Sequence, residues 1–172
     1  VNPANGNVYE SEVDYASVAG SLRFERSYNS RAPYGGWSST FDTSVIADTE
    51  ASFRGALVKL QDGRSALFPS KNGLIRSDGG EFGDLQKVTN GWVYRSPSDD
   101  RMTFNASGDL VRWEQPGGRF LNIAVAINPP FDQVRTVTDE LGQSYAYTST
   151  LGRPSKLVVG DLTITYFFDS QR

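Results

Sequence analysis

Three observations predict an all-β chain of consecutive antiparallel hairpins with no substantial helix. Apolar residues recur with period two, Gly-bearing turn signals interrupt them about every 8 to 12 residues, and no segment carries a helical pattern. The longest stretch free of Gly and Pro, Trp37 to Arg54, is rich in Ser, Thr, Asp, Val and Phe, which disfavour a helix. Along the chain, Leu22, Phe24 and Tyr28 alternate with Arg23, Glu25 and Ser27, and Arg26 is an exception on the apolar side. Trp92 and Tyr94 share a face about Val93, and Met102-Thr103-Phe104 is expected to pair nearby. Leu121, Ile123, Val125 and Ile127 alternate with Asn122, Ala124 and Ala126, and Leu162, Ile164, Tyr166 and Phe168 with Thr163, Thr165 and Phe167. Each run reads as a strand with one buried face. The punctuation is Asp62-Gly63, Asn72-Gly73, Asp78-Gly79, Asn90-Gly91, Ser107-Gly108 and Leu141-Gly142. Such pairs supply the positive φ that tight hairpin turns need.

Composition narrows the chemistry. The 172 residues include no Cys and no His. Disulfides, thiolate zinc sites, His-ligated haem, Cys nucleophiles and a Ser-His-Asp triad are therefore excluded. A metal would have to be a hard cation held by oxygen, and no cofactor is expected. The net charge of −3 argues against nucleic acid as the main partner, because phosphate backbones call for a basic surface. No run of 18 apolar residues offers a membrane span. The sole methionine is Met102 and the chain opens on Val1, so a fragment or processed product is expected.

Internal similarity has a period near 21. Strand–turn–strand stretches occupy 102–111, 124–134, 145–154 and 166–172, with a looser copy at 67–75. The last apolar residue before each turn is Phe104, Ile127, Tyr147 and Phe168, which are expected to pack from one repeat to the next. One hairpin cannot bury its own face, so neighbours must pair side by side. The chain stops inside the last copy, which predicts an open strand edge and self-association through it.

The pattern Y-x-Y-D-x-x-G-R-L followed by a second strand resembles the repeats of the Rhs, or YD-repeat, family of bacterial polymorphic toxins. The segments Val1–Asn7, Glu12-Val13-Asp14-Tyr15, Leu22–Ser30, Gly36-Trp37 and Phe41-Asp42 resemble the domain that opens the repeat region there. The departures are specific: Asn105 and Asn128 stand where the repeat has Asp, only Asp169 keeps it, and Pro129-Pro130 replaces one turn. The resemblance implies an opening domain at 1–60 and degenerate hairpin repeats at 61–172 packed on it as one unit. It also implies packing roles for Phe24, Tyr28 and Trp37, and a role as part of a secreted or exported shell. In that family a β-sheet spiral encloses a C-terminal toxin and helps deliver it. The partners would be the remaining repeats and the toxin. No Asp-Pro pair occurs here, so the family's autocleaving protease motif is not in these residues.

Two other classes compete with a structural role. A carbohydrate-binding or surface-adhesion module would need exposed coplanar aromatics that stack on sugar rings. The candidates are Trp92, Tyr94 and Trp113, with Tyr9, Tyr15, Tyr34 and Trp37 further off. A hydrolase would need two converging carboxylates, from Asp99-Asp100, Asp139-Glu140 or Asp78, Glu81 and Asp84. Adjacent strand residues face opposite ways, so the neighbouring pairs read as solvated turn carboxylates. The stretch 78–84 also bears the oxygen ligands of a calcium loop without EF-hand spacing. Asn105-Ala106-Ser107 is a sequon by chance, and Gly79-Gly80 and Gly117-Gly118 match no phosphate-cradling motif. Arg23, Arg26, Arg112, Arg119 and Arg135 are expected to bridge carboxylates across strands.

Overall fold

The computed structural model describes residues 6–31, 36–48, 55–71, 74–75 and 83–167. Among them the chain is all strand and turn, in three antiparallel sheets. The first is β1 (Tyr9–Ala16), β2 (Arg23–Asn29) and β3 (Gly36–Ser39). The second is β4 (Ser44–Asp48), β5 (Gly55–Lys59), β6 (Ser65–Lys71) and β7 (Leu74–Ile75). The third is a nine-stranded meander in strict chain order. Its first half is β8 (Asp84–Val88), β9 (Gly91–Arg95), β10 (Arg101–Phe104) and β11 (Leu110–Glu114). The longer strands follow: β12 (Phe120–Asn128), β13 (Asp132–Asp139), β14 (Ser144–Thr150), β15 (Arg153–Val159) and the short β16 (Leu162–Thr165).

Register turns the period-two pattern into a wall. Leu85, Tyr94, Met102, Trp113, Leu121 and Asp139 pair in one unbroken row across β8 to β13, and all are buried. Farther along, Val125, Arg135, Tyr147, Leu157 and Ile164 form a row across β12 to β16. Against this face lie Phe24 of β2, Phe41, and Phe68 of β6. Phe24 sits 4.8 Å from Tyr147 and 6.0 Å from Tyr145, Phe41 5.9 Å from Tyr145, and Phe68 6.1 Å from Tyr94. The outward rows carry small or polar side chains, as in Ala124, Thr136, Ala146, Val158 and Thr163.

Five turns share one geometry. In 60–64, 96–100, 105–109, 115–119 and 139–143 the fourth N–H donates to the first carbonyl, and the first N–H donates to the fifth. This is a type I turn closed by a left-handed residue, the usual three-residue hairpin loop. The fourth residue is Gly63, Gly108, Gly118 and Gly142 in four of them and Asp99 in the other, all with φ between 67° and 85°. In three of them a polar first residue locks the loop. The Oδ1 of Asn105 and of Asp139 accepts the fifth N–H at 2.9 Å, and Ser96 Oγ does so at 3.0 Å. Asn105 and Asp139 are thus acceptors for their own turns.

Several expectations are corrected. Ile127 is not a packing residue: burial fades along β12 from Ile123 through Val125, and Ile127 is 75 % exposed beside the turn. The boundary expected at 60/61 falls in the β5–β6 turn, inside one sheet, because β5 and β6 pair over their whole length. Tyr147 lies three residues before the end of β14, so its turn, at 151–152, is not the counterpart of the turn after Phe104. The last strand ends at Thr165, and Phe168, Tyr34, Asp78, Glu81 and the turns at 72–73 and 78–79 lie outside the described residues. Phe24, Phe104 and Tyr147 are fully buried, whereas Tyr28 and Trp37 are half-buried and 5.5 Å apart.

Candidate functional site

The aromatic candidates do not form a platform. Trp92, Tyr94 and Trp113 are 5 %, 2 % and 8 % exposed. Each points from the meander into the core, because Tyr94 and Trp113 share the inward row and Trp92 pairs with the buried Phe104 on the same face. Their rings are structural walls, and sugar stacking on exposed coplanar faces is overturned for all three.

The carboxylates are spent on turns and sheet contacts. Asp99 pairs with Arg95 at 2.9 Å. Asp100 accepts from Trp113 Nε1 at 3.1 Å, from Ser98 at 2.7 Å and from Ser96 at 3.2 Å. Asp139 is buried, and its Oδ1 takes the N–H groups of Leu141 and Gln143. Its Oδ2 lies where a side chain on Gly20 would have to be. Glu140 accepts from Ser21 Oγ at 2.9 Å, and a backbone N–H at its own turn, ahead of Ser21, holds it below the usual carboxylate range. Glu25 is lowered by its hydrogen bond from Ser11. Glu114 is lowered first by Arg112, at 3.0 Å, and then by Arg101, at 2.8 Å. No group of three metal-ligating side chains occurs among the described residues. Asp99, Asp100, Asp139 and Glu140 are each engaged in these contacts, and Asp78 and Glu81 of the third set lie outside the described residues.

Two ion pairs clasp the sheets instead. Arg26 Nε and Nη2 donate to Asp14 at 2.5 and 3.0 Å, and Tyr166 donates to the same carboxylate at 2.9 Å. The guanidinium lies 4.8 Å from the Trp37 ring centre and 4.6 Å from that of Tyr166. Burial, the largest single influence, opposes its charge, but Asp14 with Tyr166 and Glu12 together outweigh it and leave Arg26 more firmly protonated. This clasp joins β1, β2 and β3 to the end of the meander. The second pair is Arg135 with Asp42, at 3.5 Å and nearly buried. Sequence reasoning saw Arg26 as a break in alternation without naming its partner. That break was the available signal, since an Arg on an inward row needs a carboxylate. Burial pushes the Tyr147 and Tyr145 hydroxyls far above the ordinary range, and burial followed by Asp14 does the same for Tyr166.

Among the described residues, two neighbouring clefts open at one end of the meander. The first, about 170 Å³, opens between the outward side of β2 and Trp113, with Arg23, Glu25 and Gln115 on its walls. The second, about 200 Å³, lies between Arg64 and the 96–100 turn, over Tyr94 and Met102. Gln61, Asp62 and Trp113 line both. Sequence reasoning did not single out Gln61 or Asp62 as site residues; polar turn residues at 61–62 carry no motif.

Residues 1–68 match the family model described as a domain of unknown function (DUF6531). The match takes in the first sheet, β4, β5 and β6 as far as Phe68, and leaves the meander outside it. No curated protein and no solved structure matches the chain.

Proposed function

We propose that this chain is a structural segment of a β-sheet shell of the Rhs/YD-repeat kind, exported from a bacterium. In that shell it would help to enclose and deliver a C-terminal toxin domain. The observation that carries the reading is the nine-stranded meander with a packed face and with β16 at its edge, paired among the described residues with β15 alone. Such a sheet lengthens by adding a further hairpin to β16 without disturbing what precedes it. With a two-residue turn between β15 and β16, antiparallel alternation aims the Leu162 and Ile164 backbone groups at β15. The N–H of Tyr166 continues that series by donating to Ser155. The Thr163 and Thr165 groups therefore point to the open side, where a following strand would bind. The self-locking turns support the same reading, because one device is reused at both ends of the sheet. Mechanism here means strand pairing and enclosure, and the reading assigns no catalytic residue.

The test is to read the gene beyond the codon for Arg172. Further hairpins with the Asn/Asp-x-x-Gly turn, then a variable domain, are expected. A chain in which no such hairpin follows refutes the shell reading.

A further inference from the structure

From the paired clefts around Trp113, we propose a binding groove for a neutral saccharide of two or three rings. The groove is continuous in its lining, since Gln61, Asp62 and Trp113 belong to both halves. Two of its three carboxylates are paired with a cation, and the third, Asp100, is held by neutral donors. Arg23 pairs with Glu25 at 3.0 Å and Arg64 with Asp62 at 2.6 Å, while Asp100 is saturated by Ser96, Ser98 and the Trp113 indole. An anionic ligand would find no unpaired cation there, and a cationic one would have to displace the three hydrogen bonds that Asp100 already accepts. An apolar ligand would strip water from the carboxylates, guanidinium groups and amides of the walls, which is costly. A polyol fits both conditions, because each hydroxyl donates to a carboxylate and accepts from an amide or guanidinium. The side-chain amides of Gln61 and Gln115 make no hydrogen bond within the described chain and have both capacities to offer. The floor is rigid: Trp113 is buried on its inward row and its N–H is tied to Asp100 at 3.1 Å. Recognition is thus by edge-on hydrogen bonding along a polar groove, with Trp113 as a fixed floor. The open strand edge at β16 plays no part.

The test uses the intact chain with lactose, maltotriose, cellotriose and chitotriose, each to about 10 mM, read by tryptophan fluorescence and by amide shifts at Gln61, Ser98 and Gln115. Saturable binding of at least one sugar is expected, with a dissociation constant of about 1 mM or tighter. The Gln61→Ala/Gln115→Ala double variant should weaken it about tenfold while the unfolding midpoint stays in place. Both residues sit in turns and pack little, so the fold survives their truncation. The proposal is overturned if none of the four sugars saturates, or if the double variant binds as well as the parent. It is equally overturned if a trialanine peptide occupies the groove and the sugars do not.

Discussion

Replacing Gly108 with Ala should cost clearly more stability than replacing Gly142, although the two occupy the same place in turns of the same type. Their φ angles are 85° and 78°, so the left-handed penalty of about 1–2 kcal/mol for a Cβ is common to both. The surroundings differ. A Cβ on Gly142 meets nothing within 4 Å, whereas on Gly108 it would sit 1.9 Å from the Val45 carbonyl oxygen. Relief requires a backbone movement of more than an ångström. That movement breaks the 2.9 Å bond from Val45 N–H to the Gly108 carbonyl and the bridge between Ser44 and Asp109. Losing such a bond and leaving its buried groups unsatisfied costs about 1–3 kcal/mol. The expected losses are therefore about 1–2 kcal/mol for Gly142→Ala and about 2–5 kcal/mol for Gly108→Ala. Guanidinium unfolding of the two variants and the parent, with slopes compared, measures both. In a thermal melt the gap of about 2 kcal/mol should appear as roughly 4–8 °C. Equal losses would refute the claim that β4 is docked on this turn.

Other outcomes follow from the same structure. Asp99→Gly should leave stability unchanged or raise it by about 0.5–1 kcal/mol, since Asp99 has the φ of 67° that its counterparts fill with Gly and its ion pair with Arg95 is exposed; a loss above about 1 kcal/mol in urea unfolding would contradict this. Phe24→Ala should cost about 3–5 kcal/mol, because the ring is fully buried against Tyr145 and Tyr147; a chemical-denaturation loss below about 1 kcal/mol would sink the picture of β2 as the seam between sheets. Tyr145 and Tyr147 ionise far more readily when unfolded, so their contribution is whole below pH about 10 and lost above it, at about 1.4 kcal/mol per pH unit each. Tyrosinate absorbance should rise for them only with unfolding, and a simple rise of all eight tyrosines in a folded protein would disprove their burial. Thr163→Pro removes an outward N–H on the edge strand and should abolish concentration-dependent self-association while the fold persists; unchanged association by sedimentation would place the contact elsewhere.

The sequence by itself determined the class of fold and most of the hairpins, because both are local. A residue's face in a strand depends only on its position modulo two, and Gly at the fourth place of a loop reflects one backbone angle. So Leu121 to Val125, the Ser107-Gly108 and Leu141-Gly142 turns and the inward Phe24 could be read without coordinates. Which strands end covered was settled by the tertiary structure alone. Ile127 has the same alternation as Ile123, yet it lies past the reach of the smaller sheets and faces solvent. Trp92, Tyr94 and Trp113 were candidates for open stacking, and only the facing sheets turn their rows into core. The partner of Arg26 lies on β1, with Tyr166 far along the chain, and no period in the sequence connects them. The groove at Trp113 comes from the approach of the 60–64 and 96–100 turns and the outward side of β2, segments distant in sequence. Local conformation is set by neighbouring residues, whereas burial and juxtaposition depend on what packs across the interface.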